Sequence, residues 1–198
     1  MKLQQRTPIF YFPQGFAATL FAQDVPLLQS FFEVNPEYFY FAHGQAPVAD
    51  EAQKEFDDLP PPEMPFKRQF FLGFFGETGD LLGMVSGLID FIADGVGHIG
   101  LFITTTHLHG SGAPRKMYQA LEDWLLAQGM HSLRLGVIQG NTRAQLFWQR
   151  NGFQLVRERG PVLLGQRSQM LDVMIKPLGE LSINDYLNLV QRDRPGAA

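Results

Sequence analysis

The spacing of apolar residues divides the chain into stretches of helical period and stretches of strand period. Asp24-Val25-Pro26 reads as an N-cap followed by a proline in the first turn, which predicts a helix running to about Glu33. Asn35-Pro36 opens a second short helix by the same logic, and Ala, Glu, Lys and Phe at helical spacing predict a third over 48–58. Leu59-Pro60-Pro61-Pro62 ends it, because consecutive prolines cannot continue a helix.

The middle of the chain is strand-like. Phe66 to Phe75 is aromatic-rich and stops at Gly76-Glu77-Thr78-Gly79-Asp80, a turn composition. Leu81 to Ile92 follows, Asp94-Gly95 marks a hairpin, and Val96 to Thr104 returns, so three antiparallel strands form a meander. The period then switches. Met117, Leu121, Trp124 and Leu125 share one stripe of a helix from Ala113 to Gln128, closed by Gly129. Leu133–Ile138 reads as a strand, Asn141–Asn151 as a helix, Phe153–Glu158 and Ser168–Ile175 as strands. Ile183–Val190 reads as a last helix, with a loose Arg-Pro-Gly-Ala-Ala tail. A meander followed by strand, helix, strand, helix and two strands is an α+β fold on a mixed, mostly antiparallel central sheet flanked by helices.

Composition narrows the class. With 198 residues, 45% hydrophobic and 18% charged, the chain suits one domain with a sizeable core. Its formal charge of −4 and the lack of any basic block argue against nucleic acid as a partner. Cys is absent, so folding needs no oxidising compartment, which fits the cytoplasm. Met1 to Arg6 has no apolar run behind it, so no signal peptide is expected. Apolar stretches are broken well before the roughly 18 residues of a membrane span.

The segment His98-Ile-Gly-Leu-Phe-Ile-Thr-Thr-Thr-His-Leu-His-Gly-Ser-Gly-Ala-Pro-Arg carries the chemistry. A strand enters a Gly-containing loop that opens onto a helix, gathering unpaired N–H groups and the positive end of a helix dipole. That is a seat for phosphate or pyrophosphate, where Gly110 and Gly112 admit close approach and Arg115 adds charge. Neither a Walker loop nor a full GxGxxG is present.

This region resembles the GNAT acetyltransferases, whose acyl-CoA loop reads Gln/Arg-x-x-Gly-x-Gly/Ala. His109-Gly110-Ser111-Gly112-Ala113-Pro114 aligns with it. Asn141-Thr142-Arg143-Ala144 and then Leu146-Phe147-Trp148-Gln149-Arg150-Asn151-Gly152-Phe153 look like the family's Asn-x-x-Ala…Tyr-x-Lys-x-Gly-Phe. The resemblance covers 66–176, with its specific part in 98–153. It implies one GNAT-type domain over 1–198, with acceptor-side helices over 24–58, a cofactor-binding core over 66–176 and a tail over 177–198.

By that resemblance, acetyl-CoA is the co-substrate and an amine attacks its thioester directly, without a covalent enzyme intermediate. Phe102, Ile103 and Thr104 would offer main-chain groups to pantetheine, and the 109–115 loop, Asn141, Phe147 and Trp148 would complete the cofactor site. The base is open between Asp90 and His98, since an alkylamine near pKa ~10 must lose a proton first. Three departures stand out. His109 replaces Gln or Arg; Pro114 has no N–H to give; and Trp148 stands where many members have a thiolate-protonating Tyr. Indole only donates hydrogen bonds, so another acid, solvent or weak catalysis must account for that position.

The aromatic run Phe31-Phe32…Tyr38-Phe39-Tyr40-Phe41 is expected mostly in the core, with Tyr38 or Tyr40 reaching the acceptor pocket. His107 and His109 share a face, yet no Cys or carboxylate stands near enough in sequence to complete a metal site. The leading reading is a small-molecule amine N-acetyltransferase. A peptide or protein amine and a non-catalytic acyl-CoA sensor are the alternatives. A homodimer in which Met170 to Ile175 contributes is also entertained.

Overall fold

The computed structural model describes residues 6–196, so the segment read for a leader, up to residue 5, and the two final alanines lie outside the described residues. One eight-stranded sheet forms the frame. Its strands are β1 Phe10–Phe12, β2 Gly15–Thr19, β3 Arg68–Gly76, β4 Leu81–Ile89, β5 Val96–Thr104, β6 Ser132–Ile138, β7 Gln154–Leu164 and β8 Arg167–Pro177. They lie in the order β1-β2-β3-β4-β5-β6-β8-β7. Every neighbouring pair is antiparallel except β5 with β6. The expected mixed, mostly antiparallel sheet with its β3–β4–β5 meander is therefore the observed one.

The helices are α1 Val25–Val34, α2 Glu37–Ala42, α3 Glu51–Asp57, α4 Ala113–Ala127, α5 Thr142–Arg150 and α6 Ile183–Leu189. Strand alternation deals side chains to the two faces. Phe70, Leu72, Phe74, Leu133 and Leu135 pack with Met117, Leu121 and Leu125 of α4 and Trp148 of α5. Phe71, Phe75, Met84, Leu101 and Ile103 meet Leu28, Phe31, Phe32 and Phe39 of α1 and α2. Most of the Phe31–Phe41 run is thus core.

Two strands went unread in the sequence. β1 and β2 form a hairpin in which Phe12 faces Gly15, and β2 continues the sheet along β3. Gly15 is obligatory there: a Cβ would lie 1.9 Å from the Phe75 carbonyl oxygen. Short segments interrupted by Pro13 and Gly15 give too little alternation to be recognised. The final hairpin is longer than read, because β7 bulges twice and stays paired to β8 out to Leu164↔Arg167.

That hairpin also corrects one expectation. β8 lies between β6 and β7, with Val173, Met174 and Ile175 buried, so Met170 to Ile175 has no free edge for a dimer partner. The tail is not loose at its start either. Arg194 Nε donates to the Leu187 carbonyl at 2.9 Å and its Nη2 to Asn188 Oδ1 at 3.0 Å. One residue earlier, Asp193 is buried against Arg134.

Candidate functional site

β5 and β6 run together only from Val96↔Ser132 to Ile99↔Leu135. Beyond that pair they part, and a cleft of about 1080 Å³ opens between Ile99–Thr104 and Leu135–Ile138. The outer edges of the two strands stay tied to β4 and β8. Their inner edges therefore present main-chain N–H and C=O groups to the cleft, where an extended ligand can pair with them like an added strand. A bulge sits at the parting point: Ser86 faces Leu101 and Gly87 faces Ile99, leaving Gly100 exposed and unpaired.

At the far end of β5 the chain turns through Thr106–Leu108 and enters α4. Gly110 and Gly112 both adopt left-handed φ, +78° and +85°, which glycine alone takes without cost. Leu108 O holds the Ser111 amide at 3.1 Å and its hydroxyl at 2.7 Å, and Ser111 Oγ accepts from the Ala113 amide at 3.2 Å. Among the described residues the amides of Gly110, Gly112 and Arg115 donate to no protein group. They surround the mouth of the cleft with partial positive charge at a helix N-terminus. Pro114 takes the second helical position, where its missing N–H costs the helix nothing.

The structure brings Phe102, Ile103, Thr104, His109, Gly110, Gly112, Pro114, Arg115, Asn141, Phe147 and Trp148 together around this cleft. Ser111 and Ala113 do not line it; they brace the loop from within. Asn141 has a local task as well, its Oδ1 accepting from the Ala144 amide at 3.1 Å as the N-cap of α5. Trp148, 7% exposed, is wedged among Phe102, Tyr118 and Phe153 at ring separations of 5.7, 5.3 and 5.1 Å. Tyr118 cannot act as the missing acid, because its hydroxyl is already given to Glu122, and burial and that carboxylate raise its pKa.

The two residues read as candidate bases are not brought to the cleft. Asp90 lies in the β4–β5 turn at φ +53°, its Oδ1 accepting from the Gly95 amide at 2.7 Å and its other oxygen 3.5 Å from Lys67 Nζ. His98 stands before the parting point. Its ring stacks on Phe91 at 4.6 Å and its Nδ1 lies 3.1 Å from the Arg134 carbonyl oxygen. Burial and the nearby Arg134 guanidinium push its pKa down to about 3. Asp90 therefore shapes a turn and His98 packs, partly buried, between Phe91 and Arg134.

Residues that sequence reading passed over close the other side, together with Tyr38, which that reading had directed to the acceptor pocket. Glu37, Tyr38 and Phe41 of α2 line the cleft, whereas Tyr40 does not. Arg143 Nη2 donates to Glu37 Oε2 at 2.8 Å, and His109 Nδ1 lies 3.9 Å from the same oxygen. Burial first, then Arg143, lowers the His109 pKa. Asn35 fastens α1 to the cofactor side, accepting from the Thr106 amide at 2.9 Å and donating to Phe31 O at 2.8 Å. Arg167 and Gln169 of β8 donate to the Phe41 and Ala42 carbonyls, so the last hairpin holds α2 in place. Only the unusual aromatic density of α2 marked this wall in the sequence.

Among the described residues no helix is long and apolar enough to cross a membrane. No curated protein matches the chain in sequence. Solved structures match its fold. An acetyltransferase from Thermus thermophilus is 22% identical, with a TM-score of 0.63 over 87% of this chain and 100% of the other. The ribosomal-protein-S5-alanine acetyltransferase of Vibrio fischeri is 14% identical, with a TM-score of 0.66 over 88% and 99%. A spermidine N-acetyltransferase chimera from Vibrio cholerae and hSSAT is 15% identical, with a TM-score of 0.61 over 87% and 98%. The sequence pattern of the acetyltransferase (GNAT) family matches residues 28–153, which span the parted strands, the Gly110–Gly112 loop and Trp148. The chain belongs to the acetyltransferase (GNAT) family.

Proposed function

We propose that the protein transfers an acetyl group from acetyl-CoA to a primary amine of a small molecule, by direct attack. The observation that carries this reading is the parting of β5 from β6 after Ile99↔Leu135, opening onto the free amides of Gly110, Gly112 and Arg115. Acetyl-CoA supplies an activated acetyl thioester. The loop amides and the exposed Arg115 suit its pyrophosphate, and the inner edges of Phe102–Thr104 and Gly136–Ile138 suit the amide-bearing pantetheine arm. A β5 amide beside the bulge would polarise the thioester carbonyl. A wall of Tyr38, Phe41 and Glu37 beside the cleft suits a small amine with an apolar portion. The lack of Cys accords with a cytoplasmic setting.

Calorimetric titration with acetyl-CoA, and separately with CoA, tests the cofactor site; micromolar binding is expected. Gly112→Val should weaken it at least tenfold, because a β-branched residue resists φ +85° and would swing the 112–115 amides. A Cβ there meets nothing within 4 Å, so the fold should persist. Released thiol from n-butylamine, phenethylamine or spermidine then distinguishes transfer from mere binding. Failure of the folded protein to bind either nucleotide would sink this reading.

A further inference from the structure

One carboxylate that does not line the cofactor cleft is tied to a strand at the cleft's edge. Glu55, on α3, is partly buried, and its Oε1 accepts a 2.5 Å hydrogen bond from the Ser86 hydroxyl. Ser86 is 4% exposed on β4, at the step where that strand faces the β5 bulge. The exposed bulge residue is Gly100, one of the cleft-lining residues. A Cβ built on Gly100 would lie 3.5 Å from Ser86 Oγ and 3.7 Å from Ser86 O, with no other atom within 4 Å. The missing side chain at Gly100 thus leaves a cleft-lining residue directly against Ser86, whose hydroxyl holds Glu55. From the α2 side Tyr38 lines the same cleft and feels the Glu55 and Glu51 carboxylates, which together with burial raise its pKa.

We propose that Glu55 is the group that takes the proton from the acceptor ammonium, with Ser86 orienting its carboxylate at the Gly100 bulge. The proposal rests on the acetyltransferase reading above. The ammonium R–NH3⁺ gives one proton to Glu55, freeing the nitrogen lone pair. That pair forms a C–N bond to the thioester carbonyl carbon as the C–S bond breaks and its electrons leave on sulfur. The second nitrogen proton passes to the sulfur, giving the free thiol, and Glu55 returns its proton to solvent.

The surroundings suit the role. Burial, with the nearby Asp58 and Glu51 carboxylates, pushes Glu55 up to about 7, against the lowering effect of the Ser86 hydrogen bond. Glu51 itself faces His43, 3.4 Å away. A base titrating near neutral pH is half ionised where an enzyme works and still basic enough to accept a proton. A mere tie between α3 and the sheet would be served equally by glutamine, whose side-chain oxygen can accept the Ser86 hydroxyl.

That equivalence sets the test. In Glu55→Gln, acetyl-CoA affinity measured by calorimetry should stay within about twofold of wild type. With phenethylamine, n-butylamine and spermidine as acceptors, kcat/KM should fall roughly 100-fold or more, the usual scale of general-base loss, and the acid limb of its pH profile should vanish. Independently of turnover, carbon NMR of unliganded protein labelled at the glutamate carboxyls should show one resonance titrating near pH 7 that is missing from Glu55→Gln. Wild-type kcat/KM with an intact acid limb in Glu55→Gln would overturn the assignment. So would a Glu55 resonance titrating at the ordinary carboxylate pH. A wild-type protein that binds no acetyl-CoA would instead overturn the underlying acetyltransferase reading, and this role with it.

Discussion

Ile99 and Leu135 face each other as the last paired residues of β5 and β6, and everything the cleft offers lies beyond them. Before this pair both edges of the two strands are bonded within the sheet; after it only their outer edges are, to β4 and β8. Hydrogen exchange should report the boundary. Acetyl-CoA is expected to slow exchange within 100–104 and 136–138 while leaving 96–99 unchanged. Equal protection on both sides of Ile99 would contradict a strand-like mode of binding.

Trp148 stands where many family members carry an acidic tyrosine, but its ring is held among Phe102, Tyr118 and Phe153. Its contribution is packing, so Trp148→Phe should leave kcat within about twofold of wild type. Urea denaturation should register a loss of about 1–2 kcal/mol, typical for trimming a packed side chain. A drop in kcat of tenfold or more, with stability preserved, would show that the indole takes part in the reaction.

Arg134 and Asp193 form a buried two-point ion pair, with Nε to Oδ2 at 2.8 Å and Nη2 to Oδ1 at 3.2 Å. Tyr186 donates to the same Oδ2 at 2.5 Å, fixing α6 against the sheet. Arg134→Met leaves Asp193 charged and without its guanidinium partner at 1% exposure, with the Tyr186 hydroxyl still donating to it, and should cost about 3–5 kcal/mol. Arg134→Met combined with Asp193→Leu should recover most of that loss. A double variant no more stable than the single one would refute the stranded-charge explanation.

Two partly buried groups give opposite pH dependence to stability. His98 has its pKa depressed to about 3 from 6.5, so the stability it contributes is full above 6.5 and drains away as pH falls toward 3. Glu55 has its pKa raised to about 7 from 4.5, so its contribution is full below 4.5 and is lost as pH rises through 7. Between pH 4.5 and 6.5 the two slopes oppose each other, and wild-type stability should vary little. His98→Phe should become more stable as pH falls through that window, and Glu55→Gln less stable. Parallel curves for the two variants, followed by urea midpoint, would remove one of these groups from the account.

The legible parts of the chain were those written in local chemistry. Val96–Thr104 was read to the residue, and α4 and α5 to within one or two, because stripe periodicity and the Gly112, Asn141 and Gly152 boundaries are properties of neighbouring residues. The Gly110–Arg115 turn into α4 was legible for the same reason. β1 and β2 stayed hidden because Phe12 and Gly15 become strand residues only when β3 is there to pair with.

The site followed the same division. Asp90 and His98 were reasonable choices along the chain, but strand register, set by cross-strand pairing, put them at the closed end of β5. Glu55 and Ser86 are separated by 31 residues and Glu37 and Arg143 by 106, so no spacing rule joins them. Sequence alone determined that a glycine turn opening onto a helix follows a central strand in an α+β fold of the acetyltransferase (GNAT) family. Tertiary structure decided where that strand parts from its neighbour and which carboxylate waits behind the bulge, because only the packed sheet brings those side chains within hydrogen-bonding reach.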